Sequence, residues 1–270
     1  MGLAEALQVV GEGTRRESFA LFSRTLNLEW VRRALAASGT ASVRKRKLPA
    51  ESVVWLVIGM ALLRDRSIDE VVRHLDLVLP ESAHDPGVSH SAVIQARERL
   101  GCEPLAILFG DTARHWATAA ADTLRWRGLA VYGVDGTTMR LADTADNEIV
   151  FGRPRSGRSA GAYPQLRLVA LMVLRAHLLL DWVPGSYDTN EQPLAQELWP
   201  RLPERCVVVI DKGFINYAVF HFIQSQGAER HWLCRAKANL KWEVVRPLGP
   251  HDDLVRITIN RSLRKKHPEL

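Results

Sequence analysis

Along the first half of the chain, apolar residues recur with helical spacing; beyond Gly128 they do not. Phe19, Phe22, Leu26, Trp30, Val31, Ala34 and Leu35 trace one helical face. Glu51–Leu63 is apolar nearly all round, which predicts a central helix. Ser67 and Glu70 have the spacing of a capping box, and Ile68, Val71, Val72, Leu75 and Val78 follow on one face before Pro80. The pattern predicts a further helix from about Ser91 to Leu100, stopped by Gly101, and another from Pro104 past Trp116 toward Ala121.

Past Gly128 the composition favours strands. Leu129–Leu141 is predicted as a strand. The apolar stretch Gln165–Val183 splits into two antiparallel strands, expected to be buried on both faces. Glu191–Leu202 and Asn216–Gln226 read as helices. Val207–Ile210 is a β-branched run suited to a central strand, and Trp232–Ala236 is a short strand. Trp242–Val245 and Leu254–Ile259 alternate like strands of a new sheet, without partners in this chain. The fold class is α+β: an all-helical domain (1–127), an α/β core (128–240) and the beginning of a β-rich segment (241–270).

The 270 residues are 47% hydrophobic and 24% charged, so a packed core is expected and global disorder is excluded. The net charge of +6 favours a polyanionic partner such as nucleic acid, although a merely solvated basic surface gives the same number. Clustering sharpens the first reading. Arg44-Lys45-Arg46-Lys47 is a run, Arg153, Arg155 and Arg158 share a loop, and Arg261, Arg264, Lys265 and Lys266 lie close together. Cys102, Cys206 and Cys234 fit neither a disulfide framework nor a zinc pattern, which points to a reducing cytoplasm. The longest apolar run, Val53–Leu63, falls short of the roughly 20 residues of a membrane span.

Two aspartates concentrate the chemistry. Asp135 and Asp211 each stand at the expected end of a buried strand. Two carboxylates brought together by neighbouring strands can hold divalent ions for phosphoryl transfer. Each also has a plainer reading: Asp135-Gly136 as a turn, and Asp211 as a cap or the partner of Lys212.

In order along the chain, these stretches resemble the bacterial DDE transposases of the insertion-sequence-four type. Gln95-Ala-Arg-Glu-Arg-Leu-Gly and Pro104-Leu-Ala-Ile-Leu-Phe resemble that family's helical N-terminal domain. Val134-Asp135-Gly136-Thr137-Thr138 and Asp211-Lys212-Gly213-Phe214 resemble its first and second aspartate motifs, and Tyr163-Pro-Gln-Leu-Arg167 is also characteristic. The resemblance implies a ribonuclease-H-like core. It implies Asp135 and Asp211 as catalytic metal ligands for Mg2+, with Mn2+ as a substitute. It also implies double-stranded DNA as partner, a homodimer on DNA, and a cytoplasmic, nucleoid-associated bacterial setting without membrane contact. The family's third ligand, a glutamate in a Tyr-x2-Arg-x3-Glu-x6-Lys signature, has no counterpart after Asp211; Glu243 and Glu269 lack its companions. The expectation is a truncated chain with weak or absent strand cleavage, or a DNA-binding remnant that regulates a full-length transposase.

The remaining candidates support that site. Glu191 could support the metal site from behind its ligands, and equally could simply favour the helix dipole. Lys212, Arg235 and Lys237 are candidates for phosphate contact. Gln95, Arg97 and Arg99 could read base edges. Arg153, Arg155 and Arg158 complete the expected DNA-binding set.

Overall fold

The structure is a computed structural model that describes residues 24–41, 48–78, 89–156, 159–160, 163–238, 240–268 and 270. The chain divides into two compact units, Met1–Thr112 and Ala113–Leu270. Phe19, Phe22, Pro80 and the run Arg44–Lys47 lie outside the described residues.

In the first unit, α1 (Leu28–Ala37), α2 (Ala50–Leu62), α3 (Ile68–Val78) and α4 (His90–Leu100) precede a long α5 (Glu103–Thr123), within which the unit boundary falls. The all-apolar α2 is central: it packs against α1, α3 and α4. Val53, Val54, Trp55 and Leu56 on α2, Val31 and Leu35 on α1, and Val71 and Leu75 on α3 are almost wholly buried. Each such side chain contributes roughly 1.5–3 kcal/mol. The capping box forms as expected. The Ser67 N–H donates to Glu70 Oε2 at 3.1 Å, and the Glu70 N–H donates to Ser67 Oγ at 3.3 Å. Gly101 ends α4 at φ 67°, a conformation costly for a residue with a Cβ.

The second unit is built on a five-stranded sheet. Its strands are β1 (Ala130–Arg140), β4 (Gln165–Val173), β5 (Leu178–Ser186), β6 (Cys206–Ile210) and β7 (Arg230–Cys234). Their order is β5-β4-β1-β6-β7. β1 pairs antiparallel with β4 and parallel with β6; β6 pairs parallel with β7. Between β1 and β4 lie α6 (Ala145–Phe151) and a small pair, β2 (Arg155–Ser156) with β3 (Ser159–Ala160). Among the described residues four helical pieces lie between β5 and β7: α7 (Glu191–Gln196) and a 3₁₀ turn at Trp199–Arg201 before β6, and a 3₁₀ turn at Lys212–Phe214 and α8 (Tyr217–Ser225) after it.

Side chains along a strand alternate between the two faces, and here the faces differ. Ala130, Tyr132 and Val134 of β1, Val169, Leu171 and Val173 of β4, and Cys206, Val208 and Ile210 of β6 all enter one buried cluster. Leu194, Ala195 and Leu198, Trp199, and Phe220 and Ile223 of α8 close it from above. Phe220 stacks on Trp232 of β7 at 3.8 Å. This face is dry: burial pushes the Tyr132 hydroxyl up to about 12 and the Cys206 thiol up to about 11. The opposite-facing residues of β4, Leu166, Leu168, Ala170 and Met172, remain half-buried. The expectation that Gln165–Val183 is buried on both faces is therefore corrected. The run is largely apolar, but only alternate residues of β4, Val169, Leu171 and Val173, are buried.

Three further details depart from the sequence reading. The strand expected at Trp232–Ala236 lies at Arg230–Cys234, because ladder pairing with β6 begins at Arg230. The strands near Trp242–Val245 and Leu254–Ile259 do have partners. They are β8 (Glu243–Gly249) and β9 (Asp252–Arg256), joined into one antiparallel hairpin through Pro250-His251, with His251 at φ 61°. The basic residues after the hairpin form α9 (Arg261–Lys266) rather than more sheet.

Candidate active site

Asp135 lies inside β1, not at its end. The strand runs on to Arg140 paired with β4, while pairing with β6 ends at Val134 opposite Ile210. Asp211 is the next residue after Ile210. The two aspartates therefore continue the register of the parallel pair, one step past its last rung. They share the face opposite the buried cluster, on strands spaced about 4.8 Å apart. Both are exposed.

Each carboxylate is anchored by one short backbone bond. The Gly136 N–H donates to Asp135 Oδ1 at 2.8 Å. Asp211 caps a 3₁₀ turn, Lys212–Phe214, and accepts the Gly213 N–H at 2.7 Å. That turn is held down by Phe214, which is 3% exposed and meets Trp199 edge-on at 6.2 Å. The Asp211 carbonyl also accepts the Cys234 thiol at 3.5 Å. Burial, and then the nearby Asp211 charge, raise the Cys234 thiol above its ordinary value.

The first turn of α7 ties the two aspartate segments together from the other side of the sheet. Gln192 Nε2 donates to the Gly213 carbonyl at 2.7 Å. Glu191 lies on Gly136: a Cβ there would sit 2.5 Å from Glu191 Oε1 and 2.6 Å from its Cγ. Only glycine admits this approach. Glu191 is held by Arg167 Nη1 at 3.2 Å, and Arg167 also donates to the Tyr187 carbonyl at 3.1 and 3.3 Å. Its guanidinium lies 5.6 Å from the Tyr187 ring centre. Sequence reasoning found Glu191 but missed Gln192, whose only signal was its place at a helix start just after Glu191.

A cleft of about 540 Å³ opens beside Asp211, lined by Lys212, Gly213, Arg235, Ala236, Lys237 and Ala238. It gathers three of the expected phosphate-contact residues around one of the aspartates. The other candidates lie elsewhere. Gln95, Arg97 and Arg99 are all exposed on α4, Gln95 and Arg99 on one side of the buried stripe of Val93, Ala96 and Leu100 and Arg97 on the other. Arg153 is engaged by Asp143 and by Glu148, the latter at 3.0 Å, so its charge serves the loop between β1 and β4. Arg155 lies in β2, and Arg158 lies outside the described residues. Among the described residues no group of three or more His, Cys, Asp or Glu is placed to hold a metal ion. The aspartate pair still suits a hard divalent cation, since magnesium takes one or two carboxylates and completes its shell with water and phosphate oxygens.

Comparison with known proteins bears on the same two units. Residues 16–110 match the family described as insertion element 4 transposase N-terminal, and residues 126–269 match the transposase DDE domain. The whole chain is 34% identical to the transposase InsG for insertion sequence element IS4 of Escherichia coli (strain K12), and covers 61% of that protein. It is also 33% identical to a putative transposase InsZ of the same organism, with 84% of this chain and 75% of the relative aligned. No helix among the described residues is long and apolar enough to cross a membrane.

Proposed function

The chain belongs to the insertion-element-4 transposases and carries their DDE domain, and from that premise we propose that its second unit is a metal-binding, DNA-engaging core of ribonuclease-H-like type. The observation that carries this reading is the in-register pair Asp135 and Asp211 on one face of the sheet. The strand order, with β1 central and three of the strands parallel, supports the ribonuclease-H-like assignment.

In this reading Asp135 and Asp211 hold Mg2+, or Mn2+ in its place. When bound, the ion would polarise a phosphoryl oxygen and activate the attacking oxygen. Lys212, Arg235 and Lys237 would grip the backbone phosphates of double-stranded DNA along the cleft beside Asp211. Gln95, Arg97 and Arg99 would contact DNA from α4. Glu191 and Arg167 would act by positioning: they clamp Gly136, and so fix the backbone that carries Asp135. The full reaction is metal-dependent cleavage and joining of element ends. With two carboxylates and no third acidic partner on their face among the described residues, strand cleavage by these 270 residues is proposed to be weak. A homodimer on DNA in the bacterial cytoplasm is part of the same proposal.

The test is a nicking assay with DNA carrying the ends of the cognate element, in Mg2+ and then in Mn2+. The expected result is tight binding with little nicking. Robust nicking that disappears in Asp135→Ala would keep the site and overturn the weakness. A second reading, a non-catalytic DNA-binding regulator, is favoured by the same two-carboxylate count. It predicts binding unchanged by Asp135→Ala and Asp211→Ala. If some 6–10 phosphates are engaged, affinity should fall about 10³–10⁵-fold from 50 to 200 mM salt.

A further inference from the structure

The two aspartates are fixed by different means. Asp135 stands within β1, opposite Ala170 of β4, and ladder pairing continues on both sides of it. Asp211 lies past the last rung of β6 and caps the 3₁₀ turn Lys212–Phe214. Its place therefore depends on what holds that turn. Phe214 anchors one end in the core. From other elements, the Cys234 thiol donates to the Asp211 carbonyl at 3.5 Å, and Gln192 Nε2 donates to the Gly213 carbonyl at 2.7 Å. The second bond is the firmer one, because a thiol is a weak donor and an amide donor at this distance is at the short end of the usual range. Gln192 also has a fixed base. α7 is seated on the sheet by buried Leu194 and Ala195, and so closely that a Cβ at Gly185 of β5 would lie 2.8 Å from Leu194 Cδ2. Its neighbour Glu191 is tied to Arg167 and fills the space over Gly136.

We propose that Gln192 is a positioning residue for Asp211: it braces the Lys212–Phe214 turn against α7 and so sets the Asp211 carboxylate in place beside Asp135. This rests on the reading of the two aspartates as metal ligands. Gly213 is the joint of the brace, since it is bonded on both sides. Its carbonyl accepts the Gln192 amide, and its N–H holds the Asp211 carboxylate. Removing the outer bond loosens the residue that makes the inner one. A carboxylate that is free to swing must be ordered when it captures a cation, and that ordering weakens binding. Asp135 needs no such brace, because the β1–β4 ladder already holds its backbone. Gln192 itself is exposed and lies outside the buried cluster, so its substitution leaves the core intact.

The test is Gln192→Met in the 270-residue chain, which keeps an unbranched, uncharged side chain of similar length and removes the N–H donor. Ile223→Val, a trim of a fully buried side chain on α8, serves as a control of comparable cost to stability. Two quantities are read: Mn2+ affinity by isothermal titration calorimetry, and amide exchange at Gly213 by NMR without metal. Circular dichroism confirms that both variants fold. The expected result is that Gln192→Met weakens Mn2+ binding and speeds Gly213 exchange by about fivefold each, the size of one ordinary hydrogen bond. Ile223→Val should bind Mn2+ as the unsubstituted chain does. Unchanged exchange at Gly213 would overturn the brace. Faster exchange with unchanged Mn2+ affinity would leave Gln192 an ordinary stabilising contact and overturn its positioning role. An equal loss of affinity in Ile223→Val would do the same. Asp211→Asn is titrated alongside. Mn2+ binding that survives that substitution would sink the metal reading itself, whereas exchange at Gly213 reports on the brace with no metal present, so the two failures are distinguishable.

Discussion

The two faces of the five-stranded sheet are made from the same strands but do different things. On one, Tyr132, Val134, Leu171 and Val208 are sealed beneath α7 and α8 and no carboxylate is buried. On the other, Leu168, Ala170, Met172 and Val209 stay half-open, and Asp135 and Asp211 stand at the end of the parallel ladder. The closed face gives the strands a fixed position. The open face uses that position to present two charges in register, where water and a cation can reach them. Burying the aspartates on the closed side would have required partners for both charges.

The largest expected contrast comes from truncating one leucine on each face. Leu171→Ala removes a side chain that is 0% exposed and should cost about 2–5 kcal/mol. Leu233→Ala removes one that is 59% exposed and should stay within about 0.5 kcal/mol. Urea unfolding of both variants checks this, and equal losses would break the contrast.

Next in size is a pH effect confined to the closed face. Burial raises Tyr132 from 10.0 to about 12 and Cys206 from 9.0 to about 11. A raised folded-state value favours the protonated form in the native state, so this stability is fully present below the unfolded values. It is lost as pH rises through the folded ones. Stability should therefore fall from about pH 9 toward pH 12. The fall should be shallower in Tyr132→Phe, measured by denaturant unfolding at pH 7, 9 and 11. An identical slope in that variant would contradict the assignment.

A smaller effect probes the link between the faces. Gly136→Ala places a Cβ 2.5 Å from Glu191 Oε1, and should cost about 1 kcal/mol by pushing the Glu191 side chain off Gly136 and away from Arg167. Adding Glu191→Ala to Gly136→Ala should recover part of that loss, because it removes the clash. A double-mutant cycle reads the coupling, and strict additivity would mean that the two residues do not meet.

What was legible in the sequence follows the same division. The helical period and capping signals located α2, α3 and α4, because those rules are local. Asp135 and Asp211 stood out because each follows a β-branched or apolar run. The one-sided core could not be read, since Gln165–Val173 is apolar at nearly every position and what covers it is a tertiary fact. The short helix Ala145–Phe151 was missed for lack of a buried face, as none of its residues is buried. The clamp through Gln192 and Glu191 joins residues far apart in sequence, and no local spacing encodes it.

The most direct test of the account is Mn2+ binding to the purified chain by isothermal titration calorimetry, set beside Asp135→Asn and Asp211→Asn. The account predicts binding that weakens by about tenfold or more in each variant, as expected when one of two anionic ligands is lost. Binding unchanged in both variants would show that the in-register aspartates do not hold the metal.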